Sequence, residues 1–427
     1  MQSFPRAMSG RPRPWRSALP PPVLTHVLGP MLARAIEARG IDVQVTPLHV
    51  SRHAVALAGI TDVGREIAGV LLDHRRGLSI AELLGIVELD VPAPIAAHAS
   101  VAIEHAHAVD VGGQSLRAWI AEHVASEEVR PHLTALVARA RERLAAYLTQ
   151  EIGSHARVAT LDIGFYGNIQ RSLSEALRSV GSPAHLAHLL AFAHGPTAER
   201  LLKGADVRAF AGGYGAQPAL VKAIHRSAPV IEQVLQGEAG TTSGYRRRAD
   251  GRIEPIVDVN PLPAADLAAK ALVQSGIAAF HDLWLSMRRA RPAAVAGAID
   301  RRDDWCRLAH RLVQVPTASE AATLGSLHDD VNYGSADVLP FCPPATAHAV
   351  AWRGADAVVR DGVALPVVWP QGVVTRVDAG ALIAPHAAVS DVPYAAAAVA
   401  LARALHARDL RQVVGYGTGD VAHAFVD

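Results

Sequence analysis

Between residues 131 and 152, Leu133, Leu136, Val137, Ala140, Leu144, Tyr147 and Leu148 recur every three or four positions, while Arg139, Glu142, Arg143 and Gln150 fall off that stripe. This is the period of an amphipathic helix, with Pro131 suited to the first turn and Gly153 to the stop. Similar spacing predicts a helix over 23–39, with Pro30 kinking it or marking its true start and Gly40 ending it. Further helices are expected over 168–180, 218–237 and 266–291, and mostly helix across 78–152. Apolar and β-branched runs at 43–50, 157–163, 185–192 and 207–211 predict strands, and 240–257 reads as a hairpin. Strands alternating with helices favour a parallel sheet, so the expected fold class is α/β.

The pattern divides the chain into an arm, a core and an appended part. Residues 1–22 hold Pro5, Pro12, Pro14 and Pro20 to Pro22 among four arginines and read as a flexible arm without the apolar stretch of a secretion signal. Residues 23–316 form the expected α/β core, with 78–152 as a helical insertion. Residues 317–427, which mix short strands, turns and one Ala-rich helix near the end, are expected to form a smaller α+β domain or cap. The longest apolar run, 392–402, is far short of the roughly 20 residues of a spanning helix. No membrane span and a cytoplasmic location are expected.

Composition narrows the chemistry. The 427 residues carry 41 Lys+Arg against 40 Asp+Glu and are 50% hydrophobic, which excludes a disordered chain and makes a nucleic-acid surface improbable. Only 3 of the 41 basic residues are lysines, so guanidinium forks dominate the positive charge. Two cysteines, Cys306 and Cys342, cannot build a zinc site or a disulfide framework.

The strongest local signal is Leu161-Asp162-Ile163-Gly164-Phe165-Tyr166-Gly167-Asn168-Ile169-Gln170. A strand ending in a carboxylate, then two glycines and a helix start, puts backbone N–H groups and the positive helix end where a phosphate can sit. Asp162 could hold sugar hydroxyls or a hydrated Mg²⁺. The helix dipole supplies about 0.3–1 kcal/mol, at most about 2, against roughly 6 for a mid-micromolar site. A second anchor is needed, and the Ser51-Arg52-His53 loop, predicted to follow a strand, could add a charge-assisted pair worth about 1.5–3 kcal/mol. The structural alternatives are a turn with Asp162 as a helix cap and Arg52 in a surface salt bridge.

Other constellations are weaker. Glu104, His105, His107 and Asp110 have metal-ligand types, but in a helix His105 and His107 point apart. His328-Asp329-Asp330 suits a divalent ion or a loop cap, and Arg246-Arg247-Arg248 with Arg252 suits an acidic ligand or a solvated hairpin. Gly-x-Ser-x-Gly, the signature of a serine hydrolase elbow, does not occur.

The 161–173 segment resembles the Asp-Ile-Gly-Trp-x-Gly-x-x-Gln pattern of a bacterial family from surface-polysaccharide gene clusters, often fused behind a haloacid-dehalogenase-type phosphatase domain. Leu28-Gly29-Pro30, the run from Leu48 to Arg52, Ile231-Glu232, Gly240 to Tyr245, His328-Asp329-Asp330 with Tyr333-Gly334, and Trp369 to Gly372 echo the same family. The resemblance implies a phosphoribosyltransferase-like core and a glycosyl-type transferase using phosphoribosyl pyrophosphate with Mg²⁺. It implies that Ser51, Arg52 and His53 face pyrophosphate, that Asp162 holds ribose, and that Gly164, Tyr166, Gly167, Asn168 and Gln170 belong to the 5-phosphate loop. Glu232 is implied as the carboxylate that takes the acceptor's proton; its bland alternative is a solvated helix residue. A phosphatase acting in trans and other glycan-assembly enzymes are the implied partners. The sequence departs from the family where His53-Ala54 replaces Asp-Gly and Phe165 replaces Trp. The second expectation, from a different class, is a non-catalytic subunit that keeps the fold and binds a nucleotide, a phosphosugar or another assembly protein.

Overall fold

The computed structural model describes residues 23–73, 77–153, 155, 157–213, 217–290, 302–330, 338–355 and 367–382. The expected arm, Tyr214-Gly215, Tyr333-Gly334 and the Ala-rich run at 392–402 lie outside the described residues.

The chain opens with helix α1 (Val23–Glu37), which contains Pro30. Residues 41–51 follow without any strand, against the expectation of one at 43–50. Leu48 and Val50 pack against the core while Val43 stays exposed, and among the described residues no neighbouring strand completes a ladder. Short helix α2 (Arg52–Ala56) comes next, followed by α3 (Val63–Leu72), α4 (Ile80–Gly85), a two-residue hairpin of β1 (Asp110–Val111) and β2 (Gln114–Ser115), and α5 (Leu116–Ala125). Helix α6 (Arg130–Ile152) has 23 residues, so it is about 35 Å long and spans two cores. Its first half puts Leu133, Leu136 and Val137 into a core with α3, α4 and α5. Its second half puts Leu144, Tyr147 and Leu148 against Val55 and the helix that follows the first long strand.

That strand, β3 (Arg157–Phe165), leads into α7 (Asn168–Ser179), β4 (His185–Ala193), α8 (Pro196–Leu202) and β5 (Val207–Gly212). The three strands form a parallel sheet in the order β3-β4-β5, with Asp162 beside Leu190 and Gly164 beside Phe192. The fold is therefore mixed α/β around a three-stranded parallel sheet. Ile163 and Phe165 point to one core with Phe192, Leu220 and Ile224, while Thr160 on the other face meets His188, which in turn contacts Ser174 of α7.

The helix expected over 218–237 is two helices, α9 (Pro218–Arg226) and α10 (Pro229–Leu235). Pro229, which lacks an N–H, starts the second at a new angle. The hairpin β6 (Thr242–Arg247) and β7 (Ile253–Val257) is antiparallel, as expected. Its arginines are ion-paired: Arg246 and Arg248 meet Glu254, and Arg247 meets Glu142. Long α11 (Ala264–Ala290), α12 (Arg302–Gln314) and α13 (Ala318–Leu324) precede the short antiparallel pair β8 (His328–Asp330) and β9 (Val338–Pro340), then α14 (Pro344–Arg353) and α15 (Pro370–Val377). The part beyond residue 317 shares a core with Val230 of α10, and buried Trp369 donates from Nε1 to Val313 O of α12 at 2.9 Å. Among the described residues no helix is long and apolar enough to cross a membrane.

Strandless residues 41–51 are fixed by side chains. Tyr147 of α6 accepts from His49 N at 2.8 Å, and Tyr245 of β6 donates to His49 O at 2.8 Å. The two rings stack with centroids 4.8 Å apart. Losing either hydroxyl leaves a half-buried peptide group without its partner, at about 1–2 kcal/mol. Tyr147→Phe and Tyr245→Phe are each expected to lower urea-unfolding stability by that amount. A change in either below about 0.3 kcal/mol, within the scatter of ordinary surface substitutions, contradicts the role given to that hydroxyl.

Candidate functional site

A crevice of about 690 Å³ opens between the C-terminal part of β3, the start of α2, α10 and β8. β3 runs three residues past Asp162 to Phe165, so the carboxylate lies within the strand and not at its end. Its Oδ1 accepts from Ile163 N at 2.7 Å and its Oδ2 from Gln170 Nε2 at 2.8 Å. Gln170 is buried and thus orients Asp162 with its amide. Burial raises the Asp162 pKa, opposed by Gln170, by the Ile163 N–H and by the positive charge of Arg52.

The loop after Asp162 needs its glycines. Gly164 has φ +139°, and a Cβ there would strike the Phe192 carbonyl oxygen. Gly167 has φ +69° and precedes α7, where a Cβ would lie 3.0 Å from Arg200 Cδ. No side chain caps α7, so N–H groups of its first turn at the crevice wall are free to meet an anion. Asn168 cannot serve as a cap, because its Oδ1 accepts from Arg200. Arg200 also donates from Nε to Tyr166 O at 2.6 Å, and Thr197 Oγ1 donates to Phe165 O at 2.6 Å. Helix α8 therefore clamps the loop from behind.

Tyr166 lines the crevice with His225, and its hydroxyl lies 2.5 Å from His225 Nε2. His194 stacks on His225 with centroids 4.5 Å apart. Burial, then His194, then Arg52 hold the His225 pKa below its ordinary value. A neutral ring lets Nε2 accept from the phenol.

Arg52 is the first residue of α2, exposed on the crevice wall, and its charge acts on Asp162, Glu232 and His225 together. The expected first loop is only partly assembled. Ser51 lines the crevice, but its hydroxyl is committed: it caps α2 by accepting from Ala54 N at 3.0 Å and donates to Thr242 O at 2.5 Å. His53 does not line the crevice. The short α2 turns it away from the wall that carries Arg52.

Glu232 lines the crevice from α10, not as a solvated helix residue. Burial raises its pKa; Arg52 opposes this, while Asp162 and Asp330 add to it. Asp329 and Asp330 complete this wall. Burial pushes Asp329 up to about 7, with Gln233 opposing and Asp330 and Glu232 reinforcing. Among the described residues no three His, Cys, Asp or Glu side chains converge to hold a metal unaided, the Glu104, His105, His107 and Asp110 set included.

The structure thus brings Ser51, Arg52, Asp162, Gly164, Tyr166, Gly167, Asn168, Gln170 and Glu232 to one crevice and leaves His53 out. Sequence reasoning missed Arg200, His225, Gln233, Gln236 and Lys270. Each reaches the site through a helix packed from elsewhere, and no local motif surrounds it. No protein-family model matches the sequence, and no curated protein matches it.

Gly164→Ala is expected to cost more than about 2 kcal/mol, because a methyl group there meets backbone that cannot rotate away; wild-type stability for this variant contradicts the loop geometry. The raised Asp329 sets a pH dependence. Its ordinary value is 3.8 and its folded value about 7, so folding takes up a proton between them. Its contribution to stability is full below about pH 4 and is lost as pH rises through 7. Asp329→Asn should flatten that interval of the stability curve by up to about 1.4 kcal/mol per pH unit; an unchanged slope between pH 4 and 7 contradicts it.

Proposed function

We propose that the crevice binds a phosphorylated sugar with a pyrophosphate leaving group, of the phosphoribosyl pyrophosphate class, and transfers the glycosyl unit to an acceptor in surface-glycan or specialised-metabolite assembly. The observation that carries this reading is the convergence of Arg52, the Asp162 loop, the uncapped start of α7 and Glu232 on one crevice. They lie far apart in sequence, so their meeting is a property of the fold.

In this reading Arg52 faces the pyrophosphate, Asp162 takes the ribose hydroxyls and the first N–H groups of α7 take the 5-phosphate. Arg200, whose pKa is lowered by burial first and by neighbouring Arg171 second, adds positive charge behind that loop. In the transfer the acceptor oxygen bonds to the anomeric carbon while the bond from that carbon to pyrophosphate breaks. The electron pair leaves with pyrophosphate, and the acceptor's proton goes to Glu232, whose proton affinity burial raises above the ordinary carboxylate value. A Mg²⁺ that arrives on pyrophosphate keeps several waters and needs only one or two carboxylates, and Asp162 on the crevice wall would supply one. Bound there, Mg²⁺ would neutralise charge on the leaving group. A 5-phosphorylated product then calls for a phosphatase to act on it.

One observation favours the second reading, a binding subunit without turnover: the Ser51 hydroxyl is committed to its cap and His53 is off the crevice. Release of pyrophosphate separates the two.

Phosphoribosyl pyrophosphate at about 1 mM with Mg²⁺ is expected to raise the melting temperature of the wild type, since even a site of about −4 kcal/mol begins to fill there. Arg52→Ala and Asp162→Asn should each weaken that binding by about 10-fold or more, some 1.4 kcal/mol. No shift in the wild type sinks the donor assignment.

A further inference from the structure

The crevice wall formed by α10, the residues after it and β8 has a polarity of its own. Lys270 of α11 is 2% exposed, and its Nζ donates to Gln233 Oε1 and, at 3.5 Å, to Gln236 Oε1. An ammonium on the oxygen side of each amide fixes which way the amide faces. Gln233 Nε2 then donates to Asp329 Oδ1 at 2.9 Å, and Gln236 Nε2 to Asp330 Oδ2 at 3.1 Å. Two parallel Lys-Gln-Asp relays result. Each holds one carboxylate oxygen and leaves the other without an amide donor.

Asp330 lines the crevice and is 5% exposed, and its Oδ1 accepts no hydrogen bond among the described residues. A carboxylate oxygen left in that state is strongly unfavourable unless a ligand supplies a donor. One N–H of the Gln233 amide and one of the Gln236 amide are committed to these acids, and Glu232, Asp329 and Asp330 face the crevice as acceptors.

The complement of such a wall is a group that is positive and donates without accepting. An alkylammonium has three N–H donors and no acceptor. An alcohol brings a single O–H donor, so it meets one acceptor where the wall presents several. An unaided divalent ion needs ligands converging at about 2.0–2.6 Å, which the described residues do not provide. We propose that this wall is a binding site for a primary ammonium group on a second ligand of the crevice, held by Asp330, Asp329 and Glu232. With the donor reading above, that ligand is an amino-bearing acceptor; the ammonium site itself does not depend on that reading. Lys270 is a positioning residue that acts through the two glutamines.

The test is calorimetric titration of the full chain with putrescine and with 1,4-butanediol, its neutral counterpart of the same length. Putrescine is expected to bind at least about 10-fold more tightly than the diol, and Asp330→Asn to lose at least about 10-fold of that affinity. The asparagine can accept from Gln236 and turn its own amide to the crevice, so the variant should melt at the wild-type temperature or above. A purely structural Asp330 would give a lower melting temperature with putrescine binding retained, which overturns the proposal. Equal binding of the diol overturns it too, as does displacement of putrescine by millimolar MgCl₂ in a manner that requires Asp330. Asp329→Asn repeats the comparison should Asp330→Asn fail to fold. The shift caused by phosphoribosyl pyrophosphate should survive Asp330→Asn. If that compound fails to bind the wild type while putrescine binds, the donor reading falls and the ammonium site stands.

Discussion

The peptide of His49 is held between two tyrosine hydroxyls, one accepting from its N–H and the other donating to its carbonyl, and the position of Arg52 three residues later follows from that grip. A backbone segment with no ladder must satisfy its polar groups in another way, and here two stacked aromatic rings do it from α6 and β6. Burial raises both phenol pKa values, which keeps both groups as neutral hydroxyls at neutral pH. Because α6 also anchors the helical insertion, the insertion and the crevice share one rigid rod. Slack at His49 would move the guanidinium that acts on Asp162, Glu232 and His225 at once.

The same economy of partners recurs around the acids. Three buried glutamines each donate to one carboxylate: Gln170 to Asp162, Gln233 to Asp329 and Gln236 to Asp330. An arginine or lysine paired directly to each would neutralise it; removing one partner of such a buried pair typically costs about 3–5 kcal/mol. An amide orients the carboxylate without neutralising it. The cost is the burial of several acids together: burial first, and neighbouring acids after it, raise the proton affinities of Glu232 and Asp329.

The β3-loop-α7 unit was legible because its signals are local: a β-type run, glycines that the turn requires and a helical stripe all fall within residues 157–180. The long helices were legible for the same reason. The strand expected at 43–50 was not there, since alternation of apolar residues says which positions prefer burial and nothing about whether a neighbouring strand exists to complete a ladder. His53 was expected beside Arg52 on the assumption of an extended loop, whereas the Ser51 cap starts a helix at Arg52 and turns the two side chains apart. Arg200, His225 and Lys270 were invisible for a different reason. Each acts through packing between distant helices, and a single basic residue on a helix carries no mark of what it will face. Asp329 and Asp330 were noticed as acids, but their role depends on Gln233 and Gln236, almost a hundred positions away.

The crevice therefore has two sides of opposite hydrogen-bonding sense. Arg52 and the first N–H groups of α7 donate, while Glu232, Asp329 and Asp330 accept, and Arg52 links the sides because its charge reaches Glu232. In the proposed reading a pyrophosphate at Arg52 cancels much of that charge. The force holding Glu232's proton affinity down is then removed, and Glu232 becomes a better proton acceptor once the leaving group is seated. Reciprocity requires that a proton or cation held near Glu232 strengthen the anion's binding by the same free energy. An anionic donor and a positively charged second ligand would thus assist each other's entry without any movement of the backbone, through the sharing of one guanidinium by two buried carboxylates.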